Sequence, residues 1–177
     1  MENDPIQILI RMETSDDYAV VREVNYAAFG NRDDEADLVA RIRSSAEFIP
    51  ELSLVADRDG SVVGHLLISK ASIVNGSTSH DVLVLAPIAI LPAHQKRGVG
   101  GLLIREGLNR SRVLGYAAVL LIGHPTYYPR FGFRPASSFG MELKQFTVPD
   151  DVFMAYELYD GALKGIAGEL QYPAAFF

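Results

Sequence analysis

The sequence contains no cysteine among its 177 residues, which excludes disulfide bonds and thiolate metal sites. No apolar run reaches the length needed to cross a membrane. The acidic start Met1–Pro5 has neither the basic region nor the apolar region of a secretory signal peptide. These absences fit a reducing compartment, and we expect a cytoplasmic protein with no membrane partner.

Basic residues are also scarce. The chain has 16 Lys and Arg against 22 Asp and Glu, so its net charge is −6 and its pI is about 5.2. An acidic chain of this kind lacks the basic surface that nucleic acids bind, and no nucleic-acid partner is expected. The histidines have no ligand spacing and the metal motif His-Glu-x-x-His does not occur, so we also predict no metal site.

Apolar residues, by contrast, make up 49% of the chain, which is enough for a substantial core. The length is typical of a single domain, here 1–177. Apolar runs of strand length alternate with segments of helical period, which predicts a mixed α/β protein. The predicted strands cover 6–12, 52–56, 62–69, 81–91, 117–122, 141–146 and 151–158, and the predicted helices cover 14–30, 34–45 and 99–114.

One stretch, Leu83 to Leu103, combines a strand, a short basic loop and the start of a helix. Its loop carries Lys96, Arg97 and a set of glycines. The first N–H groups of a helix have no partner within it and lie at the positive end of its dipole, so such an end binds anions. Glycines let that backbone approach a phosphate closely. We therefore predict a phosphate site at this loop.

Two familiar phosphate motifs do not fit the loop. The dinucleotide motif Gly-x-Gly-x-x-Gly requires a third glycine where Leu103 stands, and the P-loop triplet Gly-Lys-Ser/Thr occurs nowhere in the chain. The hexapeptide Gln95-Lys96-Arg97-Gly98-Val99-Gly100 instead resembles the Gln/Arg-x-x-Gly-x-Gly/Ala signature of the GNAT superfamily of N-acyltransferases. A second segment, Tyr128 to Phe133, resembles the Tyr-x-x-x-Gly-Phe motif of the same superfamily. The longer segment from Gly123 to Phe133 is similar to the Gly-x-Pro-x-Tyr-Tyr-x-Arg-Phe-Gly-Phe version of a bacterial subgroup.

The resemblance implies the GNAT fold, an α/β arrangement in which a mixed sheet of six or seven strands is flanked by helices and opens into a V-shaped cleft between strands 4 and 5. It implies acetyl-CoA as cosubstrate, with the loop amides holding the pyrophosphate and the cleft holding the pantetheine arm. Independently of the resemblance, Pro87 predicts a bulge in the fourth strand, because proline removes a ladder donor. The cofactor-binding residues implied are Ile88, Ala89 and Ile90 on the strand and Gln95, Lys96, Arg97, Gly98, Val99, Gly100 and Gly101 in the loop.

Acyl transfer from a thioester to an amine needs a neutral amine, a donor for the oxyanion and a proton for the leaving thiolate. From the resemblance, Tyr128 is the candidate proton donor, with Tyr127 as the alternative. Members of the superfamily often place a glutamate base on the central strand, but residues 82–91 contain no carboxylate. His124 is a weak candidate for the base, since histidine titrates near neutral pH, and a water chain to solvent is another.

We therefore expect an N-acetyltransferase that moves an acetyl group from acetyl-CoA to a primary amine of a small molecule or a protein. The missing strand carboxylate keeps an alternative open, a non-catalytic module that binds or senses acyl-CoA. A structural protein without a ligand is disfavoured by the intact loop. Residues 29–36 and 135–150 are expected to line the acceptor site, the identity of the acceptor is left open, and a homodimer is a possible assembly.

Overall fold

A single mixed sheet forms the centre of the structure, a computed structural model that describes residues 7–177. Residues 1–6, which include the acidic start and the first residue of the predicted first strand, lie outside the described part. The helices are α1 (Tyr18–Ala28), α2 (Asp34–Arg43) and α3 (Val99–Val113). The strands are β1 (Ile8–Met12), β2 (Ser53–Arg58), β3 (Ser61–Asn75), β4 (Thr78–Ile90), β5 (Ala118–Ile122), β6 (Arg134–Pro135), β7 (Met141–Glu142), β8 (Phe153–Glu157) and β9 (Gly168–Gln171).

The strands lie in the order β1-β2-β3-β4-β5-β8-β6, with β9 beside β3 and β7 beside β9. Two pairs of neighbours are parallel, β4 with β5 and β7 with β9; the other neighbouring strands named here run antiparallel. The sheet is therefore mixed, as the sequence predicts, although the short strands β6 and β9 bring it to nine strands within the described residues. None of the helices within residues 7–177 has the length and apolar character needed to cross a membrane.

Local signals account for several element ends. The β2–β3 hairpin turns at Asp59 and Gly60, whose φ angles of 52° and 87° are the left-handed values that a tight two-residue hairpin turn requires. Helix α2 has Asp34, Glu35 and Asp37 in its first turn and arginines in its last, which complements the helix dipole at both ends. These features depend on neighbouring residues alone.

A cleft opens where β4 leaves β5. The two strands pair only at Leu83–Val119 and Val84–Leu120. Immediately afterwards the register against β3 shifts, so that Ala86 and Pro87 together face a single residue of β3. This is a β-bulge, which bends the strand that carries it. Beyond the bulge β4 still pairs with β3 but no longer with β5, which confirms the predicted opening between strands 4 and 5.

The sheet buries both of its faces. One face packs against α3 through a core that includes Leu54, Leu66, Leu83, Leu103 and Phe133. The other face packs against α1, α2 and the C-terminal segment through two further groups of apolar side chains, which include Val21, Ile42 and Leu67 in one and Val82 and Leu170 in the other. The cleft between β4 and β5 therefore lies between two well-packed layers.

The chain after β6 differs from the sequence-based expectation. The predicted strand 141–146 is wrong beyond Glu142, because only Met141 and Glu142 pair with another strand. Farther on, side-chain hydrogen bonds from Gln145 take the place of backbone strand pairing. Gln145 accepts a hydrogen bond from the Tyr172 N–H at 2.7 Å and donates one to the Tyr172 carbonyl at 3.2 Å. The tail 163–177, for which no role was predicted, supplies β9 to the free edge of β3 beyond the end of β2.

A chain of buried polar side chains ties α1 to the sheet beside β4. His65, fully buried on β3, lies 3.3 Å from Asn25 Nδ2 through Nδ1 and 3.1 Å from Ser53 Oγ through Nε2. Ser53 Oγ donates to Glu13 Oε2 at 2.6 Å, and Glu13 pairs with Arg43. Burial, reinforced by the positive charge of Arg43, lowers the pKa of His65 to about 3. His65 is therefore neutral in the folded protein at all ordinary pH values.

This burial predicts a loss of stability in mild acid. The folded-state pKa lies below the unfolded value of about 6.5, so stability is complete above the unfolded value and is lost as the pH falls toward the folded one. Because His65 takes up a proton in the unfolded state, we expect the free energy of unfolding to fall by about 2 kcal/mol from pH 7 to pH 5. Urea denaturation at each pH measures this change. His65→Gln should flatten this pH dependence, whereas the control His80→Gln should keep it. An identical slope in all three proteins would contradict the assignment.

Candidate functional site

A cavity of about 520 Å³ lies at the carboxyl end of β4 against the first turn of α3. Eight of the predicted site residues line it: Ile90, Gln95, Lys96, Gly98, Val99, Gly100, Gly101 and Tyr127. The other lining residues are His94, Arg105, Arg130 and Phe131. Ile88, Ala89, Arg97, His124 and Tyr128 were also named from the sequence and do not line this cavity.

The loop before α3 is held in a defined shape. Gln95 Nε2 donates a hydrogen bond to the Ile90 carbonyl at 3.0 Å, which anchors the loop to the end of β4. Lys96 and Gly98 both have positive φ angles, 60° and 84°, and Gly98 is the N-cap of α3. The first backbone hydrogen bond within the helix runs from the Leu102 N–H to the Gly98 carbonyl. The N–H groups of the first helical residues are therefore left for a ligand.

The three glycines Gly98, Gly100 and Gly101 occupy their positions for different structural reasons. A Cβ on Gly98 would meet nothing within 4 Å, so this position needs glycine for its φ angle. A Cβ on Gly100 would lie 2.7 Å from the Tyr127 hydroxyl. A Cβ on Gly101 would lie 3.2 Å from a Phe131 ring carbon. Gly100 and Gly101 therefore let the segment 127–131 pack directly on the first turn of α3, where it forms the opposite wall of the cavity.

The cavity is positively charged although the chain as a whole is acidic. Lys96, Arg105 and Arg130 line it, and no carboxylate of the described residues does so. None of the three forms a salt bridge with a carboxylate of residues 7–177. Together with the start of α3, these cations make a site suited to an anion with more than one negative charge.

The two tyrosines differ in exposure. Tyr128 is only 9% exposed, and its ring packs against Gly123 and, edge-on, against Phe133 at 5.8 Å between ring centroids. Tyr127 is half-buried, and its hydroxyl lies at the first turn of α3. Burial, with a smaller contribution from Tyr127, raises the pKa of Tyr128 to about 12, and burial also raises the pKa of Tyr127. Both phenols keep their protons at neutral pH and can act as hydrogen-bond donors.

His124 is exposed and lies in the turn between β5 and the tyrosines. Its Nδ1 is 3.0 Å from Thr126 Oγ1 and 3.4 Å from the Thr126 N–H. These contacts are those of a histidine that stabilises its own turn. Among residues 7–177, no group of three or more His, Asp or Glu side chains is placed to hold a metal ion.

Arg105, Arg130, Phe131 and His94 line the cavity but were not predicted as site residues from the sequence. Arg105 could have been predicted from the sequence. It follows Gly101 by four residues, and residues four apart share a helix face. Arg130 and Phe131 lie within the motif already recognised, but only the packing of that motif on α3 shows which of its side chains reach the cavity.

Comparisons with known proteins agree with this arrangement. Residues 9–136 match the family model of the acetyltransferase (GNAT) domain. The chain is 43% identical over 121 residues to an uncharacterized N-acetyltransferase, YjhQ, of Escherichia coli strain K12, in a match that covers 68% of this chain and 66%, just under two thirds, of the relative.

Two solved structures extend the similarity over nearly the whole chain. One is the GNAT family N-acetyltransferase YhbS from Escherichia coli in complex with CoA, with a TM-score of 0.89, 29% identity and coverage of 99% of this chain and 96% of the other. The second is a GNAT family acetyltransferase from Brucella melitensis in complex with acetyl-CoA, with a TM-score of 0.78, 32% identity and coverage of 98% and 100%. From its fold, its loop and these matches, the chain belongs to the GNAT family of acetyltransferases.

Proposed function

We propose that this protein transfers an acetyl group from acetyl-CoA to a primary amine of a small molecule or a protein. The observation that carries the proposal is the cationic cavity, which joins the open end of the β4–β5 cleft to the unpaired N–H groups of α3. The solved relatives from Escherichia coli and Brucella melitensis hold CoA and acetyl-CoA, respectively, on the same fold.

The cosubstrate would be bound along a path from α3 to β4. The pyrophosphate would lie at the first turn of α3, close to Lys96 and the glycines of the loop. The pantetheine arm would run along Ile88, Ala89 and Ile90, which pair with β3 on one side and, within the described part of the chain, have no strand partner on the side facing β5. An extended chain with amide groups satisfies such an edge as an added strand does.

The chemical step requires the neutral amine to attack the thioester carbonyl, after which the C–S bond breaks and the thiolate takes up a proton. Tyr128 is our candidate for the donor, since it follows β5 at the cleft and burial keeps its phenol protonated. Tyr127 is the alternative, because its hydroxyl is at the cavity. The proton of the amine would leave through water or, less directly, through the exposed His124.

One observation favours a second function, an acyl-CoA-binding module without turnover. Among residues 7–177 no carboxylate lines the cavity, and residues 82–91 of the central strand contain none, so the strand glutamate that often serves as base in the superfamily is absent here. Residues 29–36 and 135–150 stay the predicted walls of the acceptor site. The cytoplasmic location and the homodimer also stay predictions.

A panel of primary amines distinguishes the two functions. We expect release of free CoA, followed with a thiol reagent, to depend on both acetyl-CoA and at least one amine. The cysteine-free chain contributes no thiol background to this assay. Stabilisation by acetyl-CoA without CoA release for any amine would favour the binding module and contradict the enzyme.

Acetyl-CoA should raise the melting temperature of the protein. At about 100 times its dissociation constant it should add roughly 2.7 kcal/mol to the free energy of unfolding. Lys96→Glu places a negative charge where the phosphates are expected, so we predict about a tenfold loss of affinity and roughly half of that stabilisation. The exposed Lys164, remote from the cavity, provides the control variant Lys164→Glu. An unchanged shift in Lys96→Glu would place the phosphate site elsewhere. An equal shift with NADH in the unmodified protein would contradict the acyltransferase assignment.

Tyr128→Phe should lower kcat by at least ~10-fold while acetyl-CoA affinity changes by less than ~3-fold, because the phenol acts on charge that develops only in the transition state. The phenylalanine keeps the ring that packs on Gly123 and Phe133, so the fold should be retained. Steady-state kinetics and calorimetric binding provide the two measurements.

Tyr127→Phe is the matched control and should reduce kcat less. If Tyr127→Phe were instead the more damaging change, the donor would be Tyr127. If both variants kept full kcat with a reactive amine, neither tyrosine would protonate the thiolate.

A further inference from the structure

The cavity contains a second group of cations beyond the loop. Arg105 projects from the second turn of α3, and its Cζ lies 5.0 Å from the centroid of the Phe131 ring. Arg130 comes from the facing segment, with its Cζ 5.9 Å from the same centroid and 5.4 Å from that of Tyr127. Two guanidinium groups from different elements are thus gathered around one aromatic ring at the cavity wall.

These two arginines differ from five others in the chain. Arg11, Arg22, Arg32, Arg43 and Arg110 each form a salt bridge with a carboxylate. Within residues 7–177, Arg105 and Arg130 form none. Two like charges beside one ring repel each other, and an anion between them removes that repulsion. Guanidinium groups suit phosphate in particular, because their N–H donors match its oxygens.

The position of this pair decides which phosphate it would meet. A bound CoA would run from its thioester end at β4 to its pyrophosphate at the first turn of α3. The Cα of Arg105 lies one helical turn, about 6 Å, beyond that of Gly101, but its side chain reaches back, so that Nη1 lies 3.0 Å from the position that a Cβ on Gly101 would take. Both guanidinium groups therefore lie on the Phe131 side of the first turn, whereas Lys96 and the glycine loop lie before it. With the pyrophosphate held by the loop, the negative group left for the two arginines is the phosphate on the 3′ position of the ribose, a dianion at neutral pH.

We propose that Arg105 and Arg130, held against Phe131, bind the ribose 3′-phosphate of CoA and make the protein select CoA over dephospho-CoA. This inference rests on the proposed function and adds a specificity determinant to it. Since the 3′-phosphate is remote from the thioester, the two arginines act on binding and not on the chemical step.

The test compares the dissociation constants of CoA and dephospho-CoA by titration calorimetry. We expect the unmodified protein to prefer CoA by at least ~10-fold. Arg105→Gln and Arg130→Gln should each raise the dissociation constant of CoA by about tenfold and change that of dephospho-CoA by less than ~3-fold. The ratio of the two constants should therefore move toward one. With acetyl-CoA as substrate, the same variants should raise KM and leave kcat unchanged.

Arg134→Gln is the matched control, since Arg134 also lies over an aromatic ring, Phe139, at 4.6 Å but does not line the cavity. It should keep the full preference for CoA. A ratio near one in the unmodified protein would overturn the inference while leaving CoA binding intact. Equal weakening of both ligands would assign the arginines to the pyrophosphate and would also overturn it. Failure of the unmodified protein to bind either ligand would overturn the proposed function together with this inference.

Discussion

The separation of β4 from β5 is the constraint on which the candidate site depends. The strands pair at only two positions before the bulge at Ala86 and Pro87 bends β4 away. Beyond the bulge, one edge of β4 has no strand partner among residues 7–177, although it lies in the middle of the sheet. Backbone groups in such a place need hydrogen bonds from water or a ligand. The cleft therefore combines an open path for an extended molecule with a ready set of backbone donors and acceptors.

The opposite wall of the site depends on two glycines, whose lack of a side chain leaves room for close packing. Gly100 and Gly101 let Tyr127 and Phe131 pack closely on the first turn of α3, since a Cβ would lie 2.7 Å from the Tyr127 hydroxyl and 3.2 Å from a Phe131 ring carbon. That contact brings Arg130 next to Arg105 and closes the cavity from the side of β5. The same glycines leave the helix N–H groups accessible to a phosphate. One packing arrangement therefore sets both the shape and the charge of the cavity.

The other face of the sheet supports β4 from behind. His65 on β3 is the partner of Ala89 across the β3–β4 ladder, and its two ring nitrogens connect α1 to β2. The C-terminal tail adds a second support, since Arg41 of α2 donates to the Ala175 carbonyl at 2.9 Å and Phe176 contacts both groups of apolar side chains on this face. The strand that carries the candidate pantetheine site is thus backed by a packed layer joined by buried hydrogen bonds.

The sequence by itself determined the features that depend on neighbouring residues: the turn at Asp59 and Gly60, the bulge at Pro87, the loop from Gln95 to Gly101 and the helix after it. These follow from local backbone preferences and short motifs. Only the tertiary structure decided that β9 pairs with β3, that strand 141–146 ends after two residues, and that Tyr127, Arg105 and Arg130 meet at one cavity. The physical reason is distance along the chain. Arg105 and Arg130 are separated by a helix end, a strand and a turn, so their meeting depends on how α3 packs against the segment after β5, and no local pattern records that packing.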